Sequence, residues 1–356
     1  MSNIVYLLGA GSSRGRRAEN DLSFPTEQYI NGTRHLGNSK CANIISGLPI
    51  VSEISGRLEL FIQKLWDVYN KESKQNNNSS VKTLIDDMQW LKDSSANHST
   101  IDTFAKKLFL TYKQPDYQRL KNCLLVFLLY EQLIKKPDQR YDTFLASILH
   151  NNVTDFPNNI SIISWNYDYQ LELAYQEYLP HESLETISNH YLHSFDKNTD
   201  GKYEEPYHKR NRFQVLKLNG SSFVSDVLLT SVKKGQEVLF LIELYPKLTP
   251  KNNLISFAWE RMMPTFEKRL SDSFLDTDIL VVIGYSFPFF NREIDRKIFS
   301  GMPKLKKIYI QDPYADNVRT GIIATISDEQ RFANKIEDHI VPIRVDSNQF
   351  FLPPEL

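Results

Sequence analysis

Cysteine is almost missing from this chain. Cys41 and Cys123 are the two present in 356 residues, they stand far apart, and neither forms a C-x-x-C pair. That excludes a disulfide framework and a zinc site built mainly from cysteines, and it fits a reducing cytoplasm. An excess of one charge is missing too: 42 Lys and Arg face 43 Asp and Glu, a net charge of −1. No global electrostatic argument therefore points to nucleic acid or to an acidic membrane as partner. Long hydrophobic runs are also lacking. The longest, residues 124–130 and 279–283, fall far short of a membrane span. The apolar residues 3–8 run straight into Gly9-Ala10-Gly11 with no basic segment before them, so a secretory signal is not expected. The expectation is a soluble, cytoplasmic protein.

What is present suits an ordinary globular chain. Hydrophobic residues make up 41% and charged residues 24%, enough to bury a core in one large domain or two ordinary ones. Six β-rich runs are spaced by helical patterns: residues 4–8, 160–164, 213–218, 279–283, 307–311 and 340–345. Four are continuously apolar, as expected of strands covered on both faces by helices. Five of the runs break into small or polar clusters, namely GAGSS, SWNYD, LNGSS, GYSFP and QDPYAD. In a doubly wound sheet such strand ends form the ligand crevice. The fold class expected is α/β, a Rossmann-like, mostly parallel sheet with helices on both faces and a helical insertion. Residues 1–50 and 151–356 read as the Rossmann domain and 51–150 as the insertion. Within the insertion, helices are expected from Ile54, from near Phe104 and over 119–136, with 70–80 a polar loop; residues 179–211 read as a loop over the crevice. No internal repeat is visible.

The strand ends carry the candidate chemistry. Gly9-Ala10-Gly11-Ser12-Ser13 follows a buried strand, where glycines let backbone N–H groups approach a pyrophosphate. A tight turn without ligand explains the same residues. Arg14, Arg16 and Arg17 either meet phosphates or form a solvated basic turn. Asn166 and Asp168, two residues apart after the second strand, offer a donor, an acceptor and a carboxylate to ribose hydroxyls or a water. A helix cap explains Asp168 equally well but Asn166 less easily. Asn219, Gly220 and Ser221 end the third run, Gly284 and Ser286 follow the fourth, and Asp312 closes the fifth, where it would meet an adenosine ribose.

Taken in this order, GAGSS, SWNYD, LKLNGSS and VVIGYSF resemble the sirtuin-type NAD-binding domain, and its bacterial anti-phage branch more than the classical deacylases. IDTFAKKLF, residues 101–109, is similar to part of that branch's helical insertion. The resemblance spans residues 1–315 through short motifs, and its specificity lies in their combined order. It implies that Gly9, Ala10, Gly11, Ser13, Gly284, Ser286 and Asp312 line an NAD site, with Gly220 and Ser221 counted among the binding residues, and that Asn166 is the catalytic amide. The implied activity is cleavage of NAD to nicotinamide and ADP-ribose, with NAD as substrate and no metal. The implied role is NAD depletion during phage infection, under control of a protein encoded nearby or of a homo-oligomer.

Two departures matter. Where the family has a histidine that acts as base on the nicotinamide ribose, this chain has Asn219, whose amide takes up no proton at neutral pH. A loop histidine is one substitute, His193 before His190 and His208; Asn166 with Asp168 is another; binding without turnover is a third. No cysteine follows Cys123, so the four-cysteine zinc module of the deacylases is excluded. The competing classes are a binding subunit that regulates a partner and an assembly scaffold with a merely structural Rossmann domain.

Overall fold

The structure is a computed structural model that describes residues 2–14, 48–49, 53–72, 78–198, 213–222, 232–233, 235–332, 335–343 and 349–356. Its centre is a seven-stranded sheet: β1 (Ile4–Leu8), β2 (Ile160–Ser164), β3 (Ser194–Asp196), β4 (Val215–Lys217), β5 (Ile279–Ile283), β6 (Lys307–Gln311) and β7 (Ile340–Pro342). The order is β3-β4-β2-β1-β5-β6-β7, and every neighbouring pair is parallel.

Strand alternation sorts the apolar residues into two layers. Ile4, Tyr6, Leu8, Ile162 and Val281 point to one face, where they meet α5 (Gln139–Ile148) and α6 (Gln170–Gln176) through Phe144, Leu145, Leu171 and Tyr175. Val5, Leu7, Ile163, Val282 and Ile310 point to the other, against α9 (Pro264–Asp272), α10 (Arg292–Ser300) and α11 (Ala315–Ile323) through Leu270, Ile298 and Ile322. A continuous apolar run is what a strand needs when both of its faces are buried, and β5 (ILVVI) is buried along its whole length. The fold is Rossmann-like α/β.

The chain divides into two compact units. The sheet unit comprises Met1–Ser13, Asp138–Ser221 and Ser256–Leu356, and the helical unit comprises Arg14–Pro137 and Ser222–Ile255. These bounds differ from 51–150 for a physical reason. The face of α5 with Tyr141, Phe144, Leu145 and Ile148 packs on the sheet. The helical unit holds α1 (Ile54–Glu72), α2 (Asn78–Ala96), α3 (Ile101–Leu110), α4 (Gln114–Ile134) and α8 (Glu237–Leu244). Its interior is apolar through Leu58, Phe61, Leu84, Met88, Leu120 and Leu124. It also encloses ion pairs of Glu131 with Arg57 at 3.3 Å and with Lys135 at 2.5 Å. Among the described residues no helix is long and apolar enough to cross a membrane.

Three expectations need correction. Residues 70–72 belong to α1 and 78–80 to α2, so the polar run 70–80 is not one loop. The segment 179–211 is structured over part of its length, with α7 (Leu184–Thr186), a π-turn at Ile187–Tyr191 and strand β3. The run 213–218 is strand only over Val215–Lys217.

Candidate functional site

The carboxyl ends of β1 and β5 are locked backbone to backbone. Gly9 N–H donates to Ile283 O at 3.0 Å and Gly11 N–H to Gly284 O at 3.0 Å. A Cβ on Gly9 would lie 2.5 Å from Gly284 O, and one on Gly11 2.7 Å from Gly284 Cα. Gly284 sits at φ +61° with equally little room. All three glycines are therefore demanded by this crossing alone. Arg140 braces the turn from behind. Its Nη2 donates to Gly11 O at 3.2 Å and Ser12 O at 3.0 Å, and Asp138 holds the guanidinium at 2.6 Å.

The 3-10 turn Ala10–Ser13 then presents two buried hydroxyls. Ser12 Oγ donates to Gly9 O at 2.8 Å, which leaves its lone pairs to accept. Asn166, placed just past β2, donates through Nδ2 to Ser12 Oγ at 2.9 Å and Ser13 Oγ at 3.1 Å. Tyr141 OH lies 3.1 Å and 2.9 Å from the same two hydroxyls. Asn166 is 5% exposed, and its Oδ1 is buried with no hydrogen-bond partner among the described residues. Leaving such an acceptor unsatisfied costs about 1–3 kcal/mol, so a buried oxygen held this way by its own amide nitrogen is an acceptor prepared for a donor.

Asp168 is a partial cap, since Oδ1 accepts from Gln170 N–H at 3.1 Å where α6 begins. Its residue surface is half-buried, but the carboxyl is enclosed. Burial pushes it up to about 6, against the pull of the Gln170 N–H, the Lys217 ammonium and the Ser13 hydroxyl. Ser13 accepts from Asn166, and its hydroxyl favours the ionised form of the Asp168 carboxyl.

Asn219 follows β4 and donates through Nδ2 to Trp165 O at 2.8 Å; its Oδ1 is a second buried acceptor with no partner among the described residues. Gly220 takes φ 65°, and buried Ser221 donates to Asp196 Oδ2 at 3.3 Å. Beneath them Lys217 Nζ meets Glu172 at 2.6 Å and donates to Asp168 O at 3.0 Å. Burial opposes the charge of this lysine, but Glu172 and Asp196 more than offset it and hold it above the usual lysine range. Burial raises Asp196 to about 6 against Lys217. Among the described residues no group of three or more His, Cys, Asp or Glu is arranged to hold a metal ion.

The structure thus brings together Ser13, Asn166, Asp168, Asn219, Gly220 and Ser221 at the ends of β1, β2 and β4. Sequence reasoning missed Tyr141, Glu172, Asp196 and Lys217. Lys217 had a signal, a lone cation inside the apolar run VLKL, which a buried strand keeps only if it is paired. Gly284 is locked against Gly9 and Gly11 at the β1–β5 crossing, while Ser286 and Asp312 follow β5 and β6. Ser286 is exposed, and Asp312 accepts from Tyr314 N–H at 2.8 Å in a turn before α11. His193 stands elsewhere along the strands. It precedes β3 at φ 47°, and its carbonyl accepts from Val215 N–H at 3.3 Å, at the amino end of strands whose other end carries the cluster. His190 is exposed in the π-turn. His208, Arg16 and Arg17 lie outside the described residues, and Arg14 pairs with Glu53 at 2.5 Å within the helical unit.

A second polar network underlies the aromatic residues. Asp295 on α10 accepts from Trp165 Nε1 at 3.1 Å and from Tyr285 OH at 2.8 Å, and Asn291 donates to that hydroxyl at 3.0 Å. Burial pushes Asp295 up to about 8, against the Tyr285 and Trp165 donors. No family model, no curated protein and no solved structure matches this chain.

Proposed function

We infer that this protein is an NAD glycohydrolase that releases nicotinamide and ADP-ribose. The observation that supports the reading best is Asn166, a strand-end amide whose Nδ2 is fixed by Ser12 and Ser13 while its buried Oδ1 has no partner among the described residues. In the reaction the C1′–N bond breaks with its electron pair going to the nicotinamide nitrogen, and a water oxygen bonds to C1′. A fixed acceptor positions a ribose hydroxyl or that water, and positioning of this kind lowers the barrier by removing orientational freedom. NAD is the substrate, and no metal is invoked. The role implied by the resemblance is NAD depletion in anti-phage defence, in the cytoplasm, controlled by a neighbouring gene product or by self-association.

A second reading has one observation in its favour. Asn219 stands where the resembling family has a base, and its amide nitrogen is committed to Trp165 O. On that reading the protein binds NAD or ADP-ribose and regulates a partner without turnover. Purified protein, alone and with the protein encoded beside it, is incubated with NAD while nicotinamide is followed. Release supports the glycohydrolase. NAD binding by calorimetry without release in either mixture supports the regulatory reading instead.

A further inference from the structure

We propose that the Asp168 carboxylate is the proton acceptor of this site, and that Lys217, held by Glu172, is the residue that positions and tunes it. The proposal rests on the glycohydrolase reading and supplies the base which Asn219 cannot be. Three features of the geometry carry it. Asp168 stands just past Asn166 at the end of β2, and Ser13, which accepts from Asn166 at 3.1 Å, also favours the ionised carboxyl, so the carboxylate and the open amide oxygen lie in one cluster. Asp168 Oδ1 accepts from Gln170 N–H at 3.1 Å, so the carboxyl is held in place where α6 begins. Lys217 reaches the Asp168 backbone carbonyl and Glu172 together, from a side chain only 6% exposed, which fixes a positive charge beside the carboxylate.

The step balances without any further reactant. As the C1′–N bond breaks toward nicotinamide, the attacking water forms its bond to C1′ and gives one proton to Asp168, which later returns it to solvent. The ionisable groups that act on Asp168 are Tyr141 from α5, Glu172 from α6 and Lys217 from β4. Of the charged groups, Lys217 favours the ionised carboxylate and Glu172 opposes it. At about 6, the carboxylate is mostly ionised at neutral pH and still able to accept a proton.

The test is the pH profile of NAD cleavage for the wild type, Asp168→Asn, Glu172→Gln and Lys217→Met. Wild-type cleavage should rise with pH through a midpoint near 6. Asp168→Asn should lose on the order of 10²–10⁴ in rate while binding NAD normally by calorimetry. Glu172→Gln should move the midpoint down and Lys217→Met should move it up. A merely structural role would lower the rate without shifting the midpoint. Glu172→Gln is isosteric and keeps the test decisive if Lys217→Met does not fold. Wild-type rates in Asp168→Asn, loss following Asp196→Asn instead, or an unmoved midpoint in Glu172→Gln would overturn the proposal alone. No cleavage by the wild type in any mixture would overturn the glycohydrolase reading with it.

Discussion

At Gly11 two demands meet in one residue. A glycine after a buried strand reads as room for a pyrophosphate, yet the Cβ position is already 2.7 Å from Gly284 Cα. Gly11→Ala should therefore destabilise the sheet unit by about 1–3 kcal/mol through overpacking, before any ligand is added. Urea unfolding measures this, and an unchanged midpoint would mean that the crossing is looser than described. A bulkier residue there reports on folding as much as on NAD, so it is a poor probe of binding. Asn166 is the cleaner position, because truncating it removes a side chain and no backbone contact. Both positions were legible in the sequence as polar or glycine-rich strand ends. The hydroxyl that shares Ser12 and Ser13 with Asn166 was not, because Tyr141 lies 129 and 128 residues from those serines and its ring reads as part of the apolar face of α5.

Elements explain why the site is held. Asp295 on α10 joins the turn after β2, through Trp165, to the turn after β5, through Tyr285. An unfolded aspartate titrates at about 3.9, whereas burial holds Asp295 at about 8. The folded protein then keeps a proton that the unfolded chain has released. This contribution to stability is fully present below about 4 and is lost as pH rises through about 8. Asp168 and Asp196, both at about 6, act in the same direction over a narrower window. The urea midpoint should fall as pH rises from 5 to about 8, and Asp295→Asn should flatten that fall. A wild-type midpoint that is level across this window would contradict the burial of these carboxyls. In the helical unit, Glu131 serves both Arg57 and Lys135 from a buried position. Glu131→Ala should cost about 3–5 kcal/mol by leaving buried cations unpaired, and calorimetric unfolding would show it. Strands β1, β2, β5 and β6 were legible because each is a run of five residues ended by a polar cluster. β3 was not, because three residues, Ser-Phe-Asp, carry no apolar period and pair only through the edge of β4.

At the scale of the whole sheet, the strand order seats β1 between β2 and β5. The ends of β1, β2, β3 and β4 gather one polar cluster, while those of β5 and β6 carry Ser286 and Asp312. Strand order is set by packing between segments distant in sequence, and motif order alone does not reveal it. The short motifs indicated an α/β fold, and the parallel sheet is that fold, but they did not tell which strand ends would meet. The function assigned to the cluster rests on chemistry: an amide oxygen awaiting a donor, a carboxylate beside it and a paired lysine below. The direct measurement is nicotinamide release from NAD by the wild type and by Asn166→Ala, each with and without the protein encoded beside it. Release by the wild type, reduced at least about 10²-fold in a folded Asn166→Ala protein, is the predicted result. Equal release by the two proteins, or none by the wild type in either mixture, would contradict the account.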